Sequence, residues 1–149
     1  MAQYVCPACG AGNRTPDSKD PLAAKCGRCS APLFGANPVD VDARALAAHR
    51  DLTKGAAVLV DVWAPWCGPC RAMAPNFAQA AKALEPAVRL LKLNSEAEPQ
   101  AAAALGVSGI PTLLLFHDGQ LVARTSGSMS AQQIVAWTHQ ALAPAQRRA

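Results

Sequence analysis

The sequence predicts an α/β fold in which a central mixed sheet carries helices on both faces, preceded by a small metal-stapled module. After Val39, apolar β-branched runs alternate with amphipathic segments, and a turn-forming Asp118-Gly119 pair separates the last two runs. Before that point, four of the six cysteines lie in a segment without a helical or strand period, which needs a staple to fold. We therefore divide the chain into a metal-binding module (1–34), a linker (35–38), an α/β domain (39–143) and a tail (144–149).

Composition limits the classes of function. The chain has 149 residues, of which 51% are hydrophobic and 5% aromatic, and this suits one alanine-rich domain with a small appendage. The formal charge of +4 falls by two units if four thiolates hold one divalent ion. The remaining excess is too weak to indicate nucleic-acid binding. No apolar run approaches the ~20 residues that span a bilayer, so we expect no membrane association.

The redox compartment follows from the N-terminus and the cysteines. The first residues lack the basic start and apolar core of a secretory signal, so we expect a cytoplasmic protein. In a reducing compartment, closely spaced cysteines bind metal or perform redox chemistry more often than they form structural disulfides.

The first half of the α/β domain shows two strands and two helices. VDV at 39–41 is a short extended piece, and Asp42 can cap a helix over 43–52. The run VLVDVWA at 58–64 has the pattern of a strand that is buried on both faces. An amphipathic helix follows CGPC, and Pro75 inside it predicts a kink.

The second half of the domain continues the alternation. RLLKLN at 89–94 predicts a strand, and a helix over 98–105 ends at Gly106. Two further strands, 112–116 and 120–125, form a hairpin. The last helix begins with a capping box of Ser130 and Gln133, supported by a hydrophobic staple of Met129 and Ile134.

Two cysteines in WCGPC form the candidate redox centre. Cys67 follows a strand and begins a helix, where unpaired N–H groups and the helix dipole favour a thiolate. Cys70 lies in the same first turn and can bridge to it, Gly68 keeps the turn tight, and Pro69 supplies a suitable φ. The pattern predicts a dithiol–disulfide switch in which Cys67 attacks and Cys70 resolves. The alternatives are a second metal half-site or idle thiols.

Asp61 is a carboxylate inside the buried strand that leads to this turn. Desolvation raises the pKa of such a group, so we expect it to accept the proton of Cys70 near neutral pH, directly or through water. The alternative is a strand-end hydrogen-bond acceptor.

The four remaining cysteines form two close pairs with the spacing of a zinc ribbon. Four thiolates give a closed tetrahedral set that suits one structural zinc ion, and metal binding supplies folding energy. Lys25 and Arg28 would offset part of the negative charge. Two disulfides or an iron–sulfur site are the alternatives. The predicted metal ligands are Cys6, Cys9, Cys26 and Cys29.

WCGPC, preceded by VDVWAP and followed by an Ile-Pro-Thr around position 111, resembles the thioredoxin family over residues 38–143. Together with the four-cysteine segment, it resembles the thioredoxin 2 type. The resemblance implies a thioredoxin fold, a cis Pro111, and a lysine, Lys92, close to the buried acid. It also implies a shallow client groove, whose predicted residues are Trp66, Gly68, Pro69, Gly109, Ile110, Pro111 and Gly127. Without the resemblance, Pro111 reads as an ordinary strand-start proline.

The resemblance implies a protein-disulfide reductase that a thioredoxin reductase re-reduces, with disulfide-containing client proteins, no bound flavin or nicotinamide, and a monomeric state. Three rivals remain. The zinc module can be the working part of a binding adaptor, or it can sense oxidants by releasing its ion. Alternatively, the chain can be an exported oxidant, which the absent signal and the Gly-Pro insert disfavour. His49, His117 and His139 share no spacing, and we expect them at the surface.

Overall fold

The computed structural model describes residues 1–147 and contains two sheets and four α-helices within them. A 3₁₀ turn at Pro21–Ala23 lies in the N-terminal segment. No helix in the described part is long and apolar enough to cross a membrane. The elements in chain order are β1 (Ala2–Val5), β2 (Gly12–Thr15), β3 (Val39–Val41), α1 (Ala43–Leu52), β4 (Ala57–Trp63), α2 (Gly68–Leu84), β5 (Val88–Asn94), α3 (Pro99–Ala104), β6 (Thr112–His117), β7 (Gln120–Ser126) and α4 (Ala131–Arg147).

The larger sheet has five strands in the order β3-β5-β4-β6-β7. β4 lies at its centre, parallel to β5 and antiparallel to β6, and is buried from Ala57 to Val62. This position explains why its sequence is a continuous apolar run. The predicted mixed sheet is confirmed.

Alternation along β4 assigns its side chains to two layers. Leu59 packs with α2 and α4, whereas Val60 packs with α1 and α3. Because side chains alternate across a strand, Asp61 points to the same face as Leu59. That face is covered by α2, the helix that begins beside the cysteine pair.

The predicted helices and strands of the α/β domain are present, with ends that differ by a residue or so. The predicted hairpin turn adopts left-handed φ values of 50° at Asp118 and 80° at Gly119, as a tight two-residue turn requires. α4 continues through Arg147, into the segment predicted as the tail. Of the predicted tail, residues 148–149 lie outside the described part.

Capping at the start of α4 provides a direct test of local stability. Ser130 Oγ accepts from the Gln133 N–H at 3.1 Å, and Gln133 Oε1 accepts from the Ser130 N–H at 2.9 Å. We expect Ser130→Ala to lower the free energy of unfolding by about 1 kcal/mol, because one N–H loses its partner. Urea unfolding measures the effect, with Ser128→Ala, a change at a nearby exposed serine, as the control. Equal stability of both variants would contradict the capping account.

The N-terminal segment corrects the expectation that it lacks strand structure. β1 and β2 pair as an antiparallel hairpin, and its turn contains the first cysteine pair. The Cys6 N–H donates to Ala11 O at 2.9 Å, and the Cys26 N–H donates to Ala31 O at 2.8 Å. The two cysteine turns therefore have the same backbone pattern. Strands of four residues are too short to show a period-two pattern in sequence.

The N-terminal segment packs directly on the α/β domain. Gln3 and Lys54 exchange two backbone hydrogen bonds of 2.8 and 3.0 Å. In the predicted linker, the Ala36 N–H donates to Glu85 Oε1 at 3.0 Å. A small core that includes Tyr4, Leu33, Phe34 and Ala56 joins the two parts.

His49 is a further correction. It lies in the last turn of α1 and is only 2% exposed, whereas His139 is exposed as expected. Burial, followed by the charge of Arg89, lowers the pKa of His49 to about 3, so this imidazole is neutral at physiological pH. The sequence gives no signal of this burial, because it depends on how the preceding N-terminal segment, including β1, packs against α1.

Candidate functional site

Cys67 and Cys70 are joined by a disulfide at the N-terminus of α2. Cys67 is the N-cap residue of the helix, with an extended backbone, and its Cα lies 5.2 Å from that of Cys70. Cys67 Sγ accepts the Cys70 N–H at 3.2 Å, so an unpaired amide at the helix start already points at this sulfur. Both residues are buried, Cys67 at 5% exposed and Cys70 at 2%.

Several of the predicted groove residues lie next to the disulfide. Trp66 is 67% exposed, and both Gly68 and Pro69 are exposed beside it. Cys67 Sγ lies 3.9 Å from Ile110 O, and the Ile110 side chain packs on the two cysteines.

The loop before β6 contains three more of the predicted groove residues, Gly109, Ile110 and Pro111. The Ile110–Pro111 peptide bond is cis, as the resemblance implies. The Gly127 N–H donates to Pro111 O at 2.9 Å, which ties the end of β7 to this loop. Gly109 O accepts from the Thr112 hydroxyl. The contact of Ile110 with Cys67 therefore brings this loop to the disulfide.

Asp61 is 1% exposed, and neither of its carboxylate oxygens has a hydrogen-bond partner within residues 1–147. Burial raises the pKa of Asp61 to about 7, although the positive charge of Lys92 opposes the increase. Lys92 is the register partner of Asp61 on β5, and its Nζ lies 4.5 Å from the centre of the Trp63 ring. The position of Asp61 on the central strand therefore accounts for both its burial and its raised pKa.

The four N-terminal cysteines form one cluster, in which all four sulfurs lie within 4.8 Å of one another. Cys6 Sγ lies 3.5 Å from Cys29 Sγ, and Cys9 Sγ lies 3.7 Å from Cys26 Sγ. Four thiolates at 2.3 Å from a tetrahedral zinc ion would lie about 3.8 Å apart, close to the distances of these two pairs.

Polar groups around the cluster are arranged for negatively charged sulfur. The Ala8 N–H donates to Cys6 Sγ at 3.4 Å, and the Arg28 N–H donates to Cys26 Sγ at 3.3 Å. Together with the sulfur distances, these contacts indicate that the cluster can hold a metal ion through four thiolates.

Two residues beside the cluster were missed by sequence reasoning. Asn13 Nδ2 donates to Cys26 Sγ at 3.5 Å, and Asn13 Oδ1 accepts from the Gly27 N–H at 2.9 Å. Arg89, on β5, donates to carbonyl oxygens of the N-terminal segment. Neither position carries a sequence signal, because a lone Asn in a polar loop and a lone Arg in a strand have many other uses.

Comparison with known proteins gives consistent results. A protein-family model described as Thioredoxin matches residues 44–140. Thioredoxin C-3 of Corynebacterium nephridii is 40% identical over 141 residues, which cover 93% of this chain and 94% of that protein. Thioredoxin of Rhodospirillum rubrum is 44% identical over 78 residues, covering 52% of this chain and 75% of that protein. A solved mutant thioredoxin from Halobacterium salinarum NRC-1 has a TM-score of 0.63 at 27% identity, covering 70% of this chain and 90% of that one.

Proposed function

The chain belongs to the thioredoxin family of thiol–disulfide oxidoreductases, and on that premise we propose that it reduces disulfide bonds in client proteins through Cys67 and Cys70. The observation that carries this proposal is the disulfide between the two residues at the start of α2, with one amide already donating to the Cys67 sulfur. The helix dipole stabilises negative charge at the N-terminus of α2, which favours the Cys67 thiolate in the reduced protein.

The exchange proceeds in two steps. The Cys67 thiolate attacks one sulfur of the client disulfide, a mixed disulfide forms, and the other client sulfur leaves as a thiolate. The Cys70 thiolate then attacks Cys67 Sγ, the second client sulfur leaves, and the Cys67–Cys70 disulfide forms. Two electrons pass to the client, whose two thiolates take up protons.

Asp61 is proposed to take the proton of Cys70 before the second step. Its side chain points to the face of the sheet that α2 covers, and its pKa of about 7 suits proton exchange near neutral pH. Since both of its oxygens lack hydrogen-bond partners in the described chain, a water molecule can bridge them to the sulfur.

The client is proposed to bind in the groove beside the disulfide. The exposed Trp66 ring supplies an apolar surface, with Gly68 and Pro69 next to it and the loop of Gly109, Ile110 and Pro111 opposite. Gly127, which holds this loop by its N–H, has a φ of 104° that suits glycine. Space is open where a side chain would begin at Gly68, Gly109 and Gly127, which leaves room for an extended polypeptide.

Zinc is proposed as the metal of the N-terminal cluster, in a structural role. All four ligands are cysteines, so the coordination is closed and leaves no position for a substrate. When bound, the ion would join the two cysteine turns through Cys6, Cys9, Cys26 and Cys29, and supply folding energy to the segment.

Metal binding and catalysis are expected to separate in a cysteine variant. Cys26→Ser should release the metal while insulin reduction stays within about twofold of wild type, because the α/β domain has its own core. Metal content by mass spectrometry and insulin turbidity measure the two properties. An activity that disappears together with the metal, while tryptophan fluorescence shows that the α/β domain is still folded, would contradict the assignment of a structural role.

The remaining partners are proposed from the family. A thioredoxin reductase using NADPH would restore the dithiol, and the protein itself would bind neither flavin nor nicotinamide. A cytoplasmic location is proposed because a dithiol reductant and four cysteines held by a metal both suit a reducing compartment. A monomeric state is proposed from the family. Insulin reduction driven by NADPH and a bacterial thioredoxin reductase tests the proposal, and no turnover above the reductase alone would refute it.

A further inference from the structure

Arg89 is a buried cation that the α/β domain places beneath the N-terminal segment. It lies on β5 and is 2% exposed. Its Nη2 donates to Val5 O at 3.2 Å and to Leu33 O, and its guanidinium lies 4.2 Å from the centre of the Phe34 ring. All three contacts are to residues that precede the predicted linker. This one side chain therefore connects β5 to both ends of the N-terminal module.

These contacts leave the charge of Arg89 incompletely balanced. Within the described chain, no carboxylate oxygen lies within 4.0 Å of its nitrogen atoms. The carboxylate of Glu85 acts on it from a greater distance: its Oε1 accepts the Ala36 N–H, and its Oε2 is buried without a hydrogen-bond partner in the described chain. A buried cation without a close counter-charge is costly to a fold, so a further anion nearby would stabilise it.

The cysteine cluster can supply that anion. Cys6 follows Val5, whose carbonyl Arg89 holds, and is 1% exposed. Burial lowers the pKa of Arg89 to about 10, with Glu85, Cys6 and Tyr4 opposing the decrease, so the group is charged at neutral pH. Four thiolates around one divalent ion carry a net charge of about −2. Lys25 and Arg28 are exposed, where solvent weakens their effect on the cluster.

We propose that Arg89 is the residue that couples the two parts of the chain, because its buried guanidinium is the counter-charge of the metal–thiolate cluster and positions the first cysteine turn. Metal affinity then depends on the α/β domain. By linkage, loss of the metal leaves the buried cation with only the more distant Glu85 carboxylate, and this lowers the stability of the α/β domain as well. This inference rests on metal binding by the four cysteines. It goes beyond the proposed structural role, in which the ion stabilises the N-terminal module alone.

The test is metal affinity in the full-length reduced chain, measured by competition between the protein and a chromogenic zinc chelator. Arg89→Met removes the charge and keeps the volume, whereas Arg89→Lys keeps the charge. Arg124→Met is the matched control, because Arg124 also donates to two backbone carbonyl oxygens, those of Leu105 and Gly106, both in the α/β domain. We expect at least about tenfold weaker zinc binding for Arg89→Met, and a change below about threefold for Arg89→Lys and Arg124→Met.

Two results would overturn the proposal. Zinc affinity of Arg89→Met within threefold of wild type would show that the charge is not needed. Equal losses in Arg89→Lys and Arg89→Met would assign the effect to the hydrogen bonds instead of the charge. If the wild-type chain binds no zinc, the proposed metal site fails first, which separates that failure from this one.

A second measurement needs no variant and stays decisive if Arg89→Met does not fold. All three tryptophans lie in the α/β domain, so their fluorescence reports unfolding of that domain alone. Removing zinc from the reduced wild-type chain should lower the midpoint of thermal unfolding followed by this signal. An unchanged midpoint would show that the metal stabilises only its own module and would overturn the coupling.

Discussion

Replacing Cys67 with serine is expected to lower insulin reduction to the rate of the chemical reductant alone. A serine hydroxyl is not ionised at neutral pH and cannot form a mixed disulfide, so the first step of exchange is lost. Insulin turbidity with dithiothreitol measures the rate. Zinc content should stay unchanged, because the cysteine cluster is separate from the disulfide.

Cys70→Ser is the matched variant for this experiment. It keeps the attacking sulfur and removes the resolving one, so a covalent adduct between Cys67 and a client should accumulate and be released by excess thiol. Non-reducing gel electrophoresis detects the adduct. Adducts on Cys70 in the Cys67→Ser variant, with none on Cys67 in the Cys70→Ser variant, would reverse the assigned roles.

Ionisation of Cys67 is the property on which these results depend. Alkylation by iodoacetamide should follow a pH profile whose midpoint lies below that of an ordinary cysteine, because the helix start and its amide favour the thiolate. A midpoint at the usual value would remove the physical basis of the first step.

The larger domain and its site could be predicted to this extent because the evidence is local in sequence. β4 is a continuous apolar run since it is the central strand, and WCGPC places both cysteines in one helical turn. The spacing of the other four cysteines was sufficient to predict their cluster. Asp61 was noticeable because a carboxylate is costly in such a strand.

The contacts between the two parts of the chain could not be predicted. Arg89 reads as a polar position at the start of a strand, and His49 reads as part of a helix face. Their burial depends on where the N-terminal segment docks, which no period or motif encodes. The hydrogen bonds that fix this docking are mostly to backbone oxygens, which every residue has, so the partner residues leave no trace in the sequence.

Asp61→Asn is expected to make the protein more stable at pH 8 and less active at the same time. The folded state raises the pKa of Asp61 from 3.8 to about 7. Below pH ~4 the carboxyl group is neutral in the folded and the unfolded state, so its burial costs no stability. As the pH rises from ~4 to ~7, the unfolded state ionises more readily than the folded state, and the stability lost through Asp61 grows until it is complete above pH ~7. At pH 8 the shift corresponds to an upper bound on the order of 4 kcal/mol, which Asn avoids. Urea unfolding should show this gain at pH 8 and less than half of it at pH 5.

The effect of the same variant on activity has the opposite sign, and this separates the two interpretations of the buried acid. Without a base for Cys70, resolution of the mixed disulfide should slow by about 10- to 100-fold, measured by stopped-flow with a fluorescent client disulfide. Asp40→Asn, a change at an exposed carboxylate on β3, is the control and should alter neither property. If Asp61→Asn were instead less stable at pH 8 and resolved at the wild-type rate, Asp61 would be a structural hydrogen-bond acceptor. A carboxylate that destabilises the fold and yet accelerates the second step is explained by its acceptance of the Cys70 proton.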